Sequence, residues 1–182
     1  MGPDFSTFGG VDLRNMSTGY PARLVRADAM EPTAALAEQV TRLCNEPRIY
    51  DRLFRQGLAG ASYPSEKAAE FLERAARGWR ERTHFVFFIV RATGSLAGNV
   101  EIEAADLDGS EIGLWASERS SGFMTPAVAA VCGVARAAGY RSLYAHVRTD
   151  NERSLSVLRR NGFDSAGAVG GGDHWRFVKT LD

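Results

Sequence analysis

Apolar positions along this chain change their spacing several times, and each change marks an element. Residues 1–20 are rich in Gly, Ser, Thr and Asp with isolated apolar residues, the pattern of a loosely ordered leader. Pro21-Ala22-Arg23-Leu24-Val25-Arg26 then alternates as a first strand. From Pro32 to Trp79 the spacing turns helical, through Leu36, Val40 and Leu43, then Ile49, Leu53 and Phe54, then Ala69, Leu72 and Ala76. Pro47 and Pro64 divide this stretch into about three helices. Ser65 is placed to cap the last, with Glu66 in its first turn.

Phe85 to Val90 has no polar break and reads as a strand covered on both faces. Thr93-Gly94-Ser95 is a hairpin turn, Leu96 to Ala104 alternates, and Asp106 to Gly109 turns again before Ile112-Gly113-Leu114-Trp115. Up to that point the strands form an antiparallel meander. A helix from Pro126 to Ala138 follows, then a strand Leu143–Val147, a helix opened by Asn151-Glu152-Arg153-Ser154, and two closing strands around Gly170-Gly171-Gly172. With no internal repeat and no linker, residues 21–182 read as one α/β domain. Its central mixed sheet is expected to have about seven strands, with helices on both faces.

Composition narrows the class. The chain of 182 residues is 45% hydrophobic and 24% charged, as in an ordinary soluble globular protein. No apolar run reaches the roughly 20 residues of a membrane helix, and no basic-then-apolar segment opens the sequence. A cytoplasmic protein without membrane association is expected. A net charge of +0 argues against a nucleic-acid binder, which carries a basic face. Cationic residues nevertheless gather at Arg119, Arg136, Arg141, Arg148, Arg153, Arg159 and Arg160, opposed there only by Asp150 and Glu152. Local basicity on a neutral chain suits a compact anionic ligand. Cys44 and Cys132 stand apart from any metal pattern and read as buried free thiols. His84, His146 and His174 are dispersed, so no metal site is expected.

Two segments carry candidate chemistry. Gly122-Phe123-Met124-Thr125 leads directly into a helix whose first turn holds Pro126, where no N–H is needed. Gly122 allows a tight backbone and close approach of an anion. Free N–H groups and the positive dipole end then suit a pyrophosphate, with Arg119, Ser120 and Ser121 assisting. An ordinary tight turn explains the same glycine, so this segment alone is not specific. Asn151 either caps its helix or bonds the amides of a pantetheine arm. Ser154, one turn further on the same face, either donates to a developing thiolate or bonds back to its own helix. A pyrophosphate joined to a long polar tail describes coenzyme A.

These segments together resemble the GNAT superfamily of N-acetyltransferases, most closely the RimJ/RimL type. The resemblance runs from Arg23 to Leu181 and is carried by Asn99-Val100-Glu101-Ile102, Glu111-Ile112-Gly113-Leu114-Trp115, Gly122 through Ala127, and Asn151-Glu152-Arg153-Ser154 through Asn161-Gly162-Phe163. It implies acetyl-CoA as cosubstrate, bound in a V-shaped gap between the strand ending near Trp115 and the strand Leu143–Val147. The backbone of Trp115, Ala116 and Ser117 would pair with the pantetheine, and Arg119, Ser121, Gly122, Phe123, Met124 and Thr125 would hold the pyrophosphate. Many relatives place a tyrosine acid in the second helix, and the matching position here is Leu158; RimL-like members place a serine where Ser154 stands, so the resemblance implies Ser154 as the donor to the thiolate. Glu111 and Asp173 are the implied candidates for the base, with Glu101 also on a central strand. The acceptor would be a protein N-terminus or a small-molecule amine, and the protein a monomer or homodimer. The alternative is a non-catalytic acyl-CoA-binding or interaction module on the same fold.

Overall fold

The computed structural model describes residues 2–182. Its strands are β1 Val11–Arg14, β2 Pro21–Arg26, β3 Phe85–Arg91, β4 Leu96–Ile102, β5 Ser110–Ala116, β6 Ser142–Arg148, β7 Asp164–Val169 and β8 His174–Thr180. Its helices are α1 Ala34–Cys44, the short α2 Pro47–Ile49, α3 Ser65–Glu81, α4 Met124–Ala137 and α5 Glu152–Arg160. A π turn, Tyr50–Phe54, continues α2. The strands form one mixed sheet in the order β1-β2-β3-β4-β5-β6-β8-β7. All neighbours are antiparallel except β5 and β6.

The eighth strand lies in the segment expected to be a loose leader. Val11 to Arg14 pair with Leu24 to Pro21, and Phe5 is buried against Phe85 at 4.5 Å and Trp79 at 5.1 Å between ring centroids. Burying one phenylalanine side chain contributes about 1.5–3 kcal/mol, enough to anchor a short segment. The leader is therefore part of the core. Ser65 is likewise not a cap: it is the first residue of α3, and Pro64 before it makes no side-chain cap bond.

β3 explains why the sheet needs cover on both sides. Phe85, Phe87 and Ile89 alternate with Val86 and Phe88, and all five are buried. α3 crosses the second face, where Phe71 meets Phe88 and Arg74 reaches Glu101. Trp79 donates its indole N–H to Val86 O at 2.8 Å, on the edge of β3 that β2 leaves uncovered after Arg26. Along β6, Leu143, Ala145 and Val147 are buried, whereas Tyr144 is half-buried and His146 and Arg148 are exposed. α5 packs on α4, with Leu155 and Leu158 buried. No helix among the described residues is long and apolar enough to cross a membrane.

The feature that positions the site is the brevity of the β5–β6 ladder. Only Ser110↔Leu143 and Glu111↔Tyr144 pair. Beyond them β5 continues with β4 alone and β6 with β8 alone. The two strands part and leave a wedge in the middle of the sheet.

Candidate active site

The wedge offers a free strand edge. Glu111 O accepts from Glu103 N at 2.9 Å and Ser117 N donates to Ala97 O at 2.8 Å, so the odd-numbered residues of β5 face β4. By antiparallel alternation, Leu114 and Ala116 turn their N–H and C=O groups toward the gap. An extended ligand can add there as a further strand. The wedge opens into a cleft of about 610 Å³ bounded by Trp115 and Ala116, by Ser121 and Gly122, and by Asn151 and Ser154. That volume is in the range of small-molecule sites.

At one end of the cleft lies the start of α4. Phe123 N bonds Ser120 O at 3.3 Å, and Ala127 N makes the first helical bond, to Phe123 O at 3.1 Å. The amides of Ser121, Gly122, Met124 and Thr125 donate to no acceptor among the described residues, and the helix has no side-chain cap. Pro126 has no N–H to offer. Unpaired donors at a 14-residue helix start, α4, form an anion-binding site by geometry and dipole together.

What shapes this loop comes partly from the far N-terminus. Asn15 is 5% exposed; its Nδ2 donates to Ser121 O at 2.9 Å, and its Oδ1 accepts from Ser17 N at 2.8 Å and Thr18 N at 3.0 Å. Met16 N donates to Gly122 O at 3.0 Å. Gly122 has φ +100, and a Cβ there would collide with Asn15 and lie 3.0 Å from Ser17 Oγ. The glycine is thus required by protein packing as well as by its backbone angle, rather than by ligand approach alone. From behind, the Arg91 guanidinium bonds Ser120 Oγ and Leu96 O; its partial burial draws its pKa down.

α2 and the π turn form the roof. Glu46 accepts from Ser117 Oγ at 2.7 Å and from Glu118 N at 2.5 Å, and Arg48 N donates to Glu118 Oε1 at 2.8 Å. Arg52 reaches across to Asp150 at 3.0 Å, just before α5. Arg148 also pairs with Asp150, and the two guanidiniums hold that carboxyl below its usual range.

On the opposite wall Asn151 caps α5. Its Oδ1 accepts from Ser154 N at 3.4 Å while its Nδ2 donates to Ser154 Oγ at 2.9 Å. Because the serine oxygen already accepts, its own proton is free to point into the cleft. Leu158, at the position where a tyrosine would lie, is fully buried.

The remaining expected residues divide. Trp115, Ala116, Ser121, Gly122, Met124, Thr125, Asn151 and Ser154 line the cleft, as does Ser117, though the amide and hydroxyl of Ser117 are tied to Ala97 and Glu46. Arg119 is exposed and lies off the cleft, and Phe123 is buried in the core. Both were expected at the pyrophosphate. Asp173 also lies off the cleft: it takes a hydrogen bond from His174 at 3.3 Å, which holds its carboxyl below the usual range and weakens it as a base. Glu111 and His146 are also not among the residues that line the cleft; the pair, 3.0 Å from Oε1 to Nδ1, lies on the face of the sheet away from Leu143 and Ala145. Beside it, desolvation and then the charges of Glu111 and Glu101 raise the pKa of Glu103. Sequence reasoning missed Asn15, Met16, Ser17, Leu114 and Arg52. The helical spacing around Leu53 hinted at the roof.

Burial raises the thiols of Cys44 and Cys132 to about 12 and about 11, so neither serves as a nucleophile. Among the described residues, no three His, Cys, Asp or Glu side chains cluster in a way that could hold a metal ion.

Comparison with known proteins agrees with this geometry. Residues 30–164 match the family model described as acetyltransferase (GNAT) domain. The chain belongs to the GNAT acetyltransferase family. The matched GNAT segment runs from just before α1 to the start of β7, so β1, the Asn15 turn and β8 lie outside it. No curated protein matches the sequence. Among solved structures the GNAT chain is similar to Mycobacterium smegmatis RimJ in complex with a CoA disulfide, with TM-score 0.73, 21% identity, and 99% and 90% of the two chains covered. It is also similar to RimL, a ribosomal L7/L12 α-N-protein acetyltransferase in complex with coenzyme A, with TM-score 0.73, 18% identity, and 94% and 99% covered. A third is Vibrio cholerae spermidine N-acetyltransferase with CoA and spermine, with TM-score 0.67, 17% identity, and 87% and 94% covered.

Proposed function

We propose that this protein is an acetyl-CoA-dependent N-acetyltransferase acting on a primary amine, carried by a protein N-terminus or by a small molecule. The observation that carries the proposal is the set of unpaired amides at Ser121, Gly122, Met124 and Thr125, opening onto the same cleft as Ser154. RimJ, RimL and the spermidine enzyme, similar in fold, are described in complexes with coenzyme A or its disulfide. The donor set here suits such a molecule: amides for a diphosphate, a free β5 edge for an amide-containing arm, and a hydroxyl for a sulfur.

When bound, acetyl-CoA supplies a thioester carbonyl open to attack by a neutral amine. The residues of this chain do the rest. The amides at the start of α4 hold negative charge, and the free groups of Leu114 and Ala116 orient an extended chain along β5. Ser154, its oxygen fixed by Asn151, presents its proton where a thiolate departs. The helices α4 and α5 close one face of the wedge, so an acceptor enters from the face that carries Trp115, Glu111, Tyr144 and His146. Direct transfer needs no thiol nucleophile, and both cysteines are buried and outside the cleft lining.

The test is coenzyme A release from acetyl-CoA with a panel of amines: peptide N-termini, polyamines and amino acids. Turnover of at least one is expected. Tight coenzyme A binding without release in the presence of any amine would contradict catalysis and favour a binding module.

A further inference from the structure

We propose that His146 is the proton acceptor for the attacking amine, held for that role by Glu111; this rests on the acetyl-transfer reading above. The two side chains come from neighbouring strands at the point where those strands separate. Glu111 belongs to the last β5–β6 pair, opposite Tyr144. His146 stands two residues further along β6, so its ring is on the same face and at the mouth of the wedge. The residue that would face it if pairing went on is Gly113. That position has no side chain, and a Cβ there would already press on Glu103 Oε1 at 3.1 Å. Glu103 Oε1 therefore occupies the space over Gly113, and the imidazole, 35% exposed, stays accessible beside it.

The hydrogen bond sets the chemistry. His146 Nδ1 lies 3.0 Å from Glu111 Oε1. An ionised carboxylate only accepts, so in the neutral ring the proton resides on Nδ1 and the lone pair on Nε2. Nε2 has no partner among the described residues. A carboxylate behind an imidazole whose outer nitrogen is bare is the arrangement of a general base: the carboxylate fixes the tautomer and stabilises the imidazolium that forms. The charged and titratable groups around the ring are Glu111 on β5, Glu103 just past the end of β4, Tyr144 and Arg148 on β6, and Arg176 on β8. Arg176 is the register partner of His146 but stacks over the Tyr144 ring at 4.2 Å, and Arg148 pairs with Asp150. Both cations are thus engaged elsewhere, and Glu111 is the group bonded to the ring.

The step balances. The amine nitrogen bonds the acyl carbon as the carbon–sulfur bond breaks, one N–H proton passes to His146 Nε2, and the thiolate takes a proton from Ser154. The imidazolium returns its proton through solvent, which restores the serine. Glu111 does not touch the acceptor and is a positioning residue.

The experiment measures coenzyme A affinity and the pH dependence of kcat/KM with the best amine for wild type, His146→Gln and Glu111→Gln. His146→Gln is expected to bind coenzyme A as wild type does, to lose about 100-fold or more in kcat, and to lose the acidic limb that the imidazole imposes. Glu111→Gln keeps a hydrogen-bond acceptor but not the charge, so it is expected to lose less and to move that limb. Wild-type kcat and an unchanged acidic limb in His146→Gln would overturn the base assignment alone. No turnover of any amine by the wild-type protein would sink acetyl transfer itself, and this proposal with it.

Discussion

Replacing Asn15 by alanine tests whether a residue outside the matched GNAT segment holds the anion-binding loop. The side chain is 5% exposed and makes three hydrogen bonds, one to Ser121 O and two from the Ser17 and Thr18 amides. Each such bond contributes about 0.5–1.5 kcal/mol net, and an acceptor left buried without a partner costs more. The expected loss is about 2–3 kcal/mol of stability, which for a chain of this size lowers Tm by roughly 5–10 °C. Only part of that loss is global. Ser121 and Gly122 would no longer be fixed from the N-terminal side, and ordering them again on binding costs about 1–2 kcal/mol per residue. Coenzyme A should therefore bind at least about tenfold more weakly, equivalent to about 1.4 kcal/mol. The assay pairs thermal unfolding with calorimetric titration of coenzyme A. The control is Leu72→Ala in α3, a 3% exposed core position expected to cost about 2–5 kcal/mol while leaving affinity intact. A lowered Tm with unchanged affinity in Asn15→Ala would refute the clamp, because the loop would then hold its shape without it.

Three further outcomes follow from the same geometry. Ser154→Ala should lower kcat by about tenfold or more with coenzyme A affinity nearly unchanged; wild-type turnover would remove the serine from the mechanism. Gly122→Val should weaken coenzyme A binding, since its φ of +100 and the neighbouring Asn15 and Ser17 leave no place for a side chain; an unchanged dissociation constant would mean that the loop relaxes freely. Gly98→Ala places a Cβ 2.7 Å from Ala116 Cα, against the back of the β5 edge. It is expected to cost about 1–3 kcal/mol in stability and to weaken binding as well, and a Tm within a degree of wild type would contradict the close β4–β5 approach.

The wedge and its walls were legible in the sequence where local signals repeat over enough residues. The unbroken run at Phe85, the strands leading to Trp115 and the capped helix after Asn151 each carry their own signal, and the structure has all of these elements, although β4 is buried on both faces rather than alternating. β1 was not legible, because four residues with one buried side chain, Leu13, give almost no alternation to count. Phe5 looked isolated for the same reason: its partners, Trp79 and Phe85, are 74 and 80 residues away in the chain. The Asn15–Ser121 bond spans 106 positions, so no window reading could find it. Arg119 and Phe123 were assigned to the ligand by their place in a motif. The short 3-10 turn Glu118–Ser120 sends the arginine outward, and core packing takes the phenylalanine. Asp173 shows a different limit. A carboxylate's neighbours decide whether it serves as a base, and here His174 holds the proton-accepting oxygen.

The central claim is best tested by amide-resolved NMR during a coenzyme A titration. The account predicts large, saturable shifts at the amides of Ser121, Gly122, Met124 and Thr125, with smaller ones at Leu114 and Ala116. Saturation of binding with those four amides unmoved would contradict it.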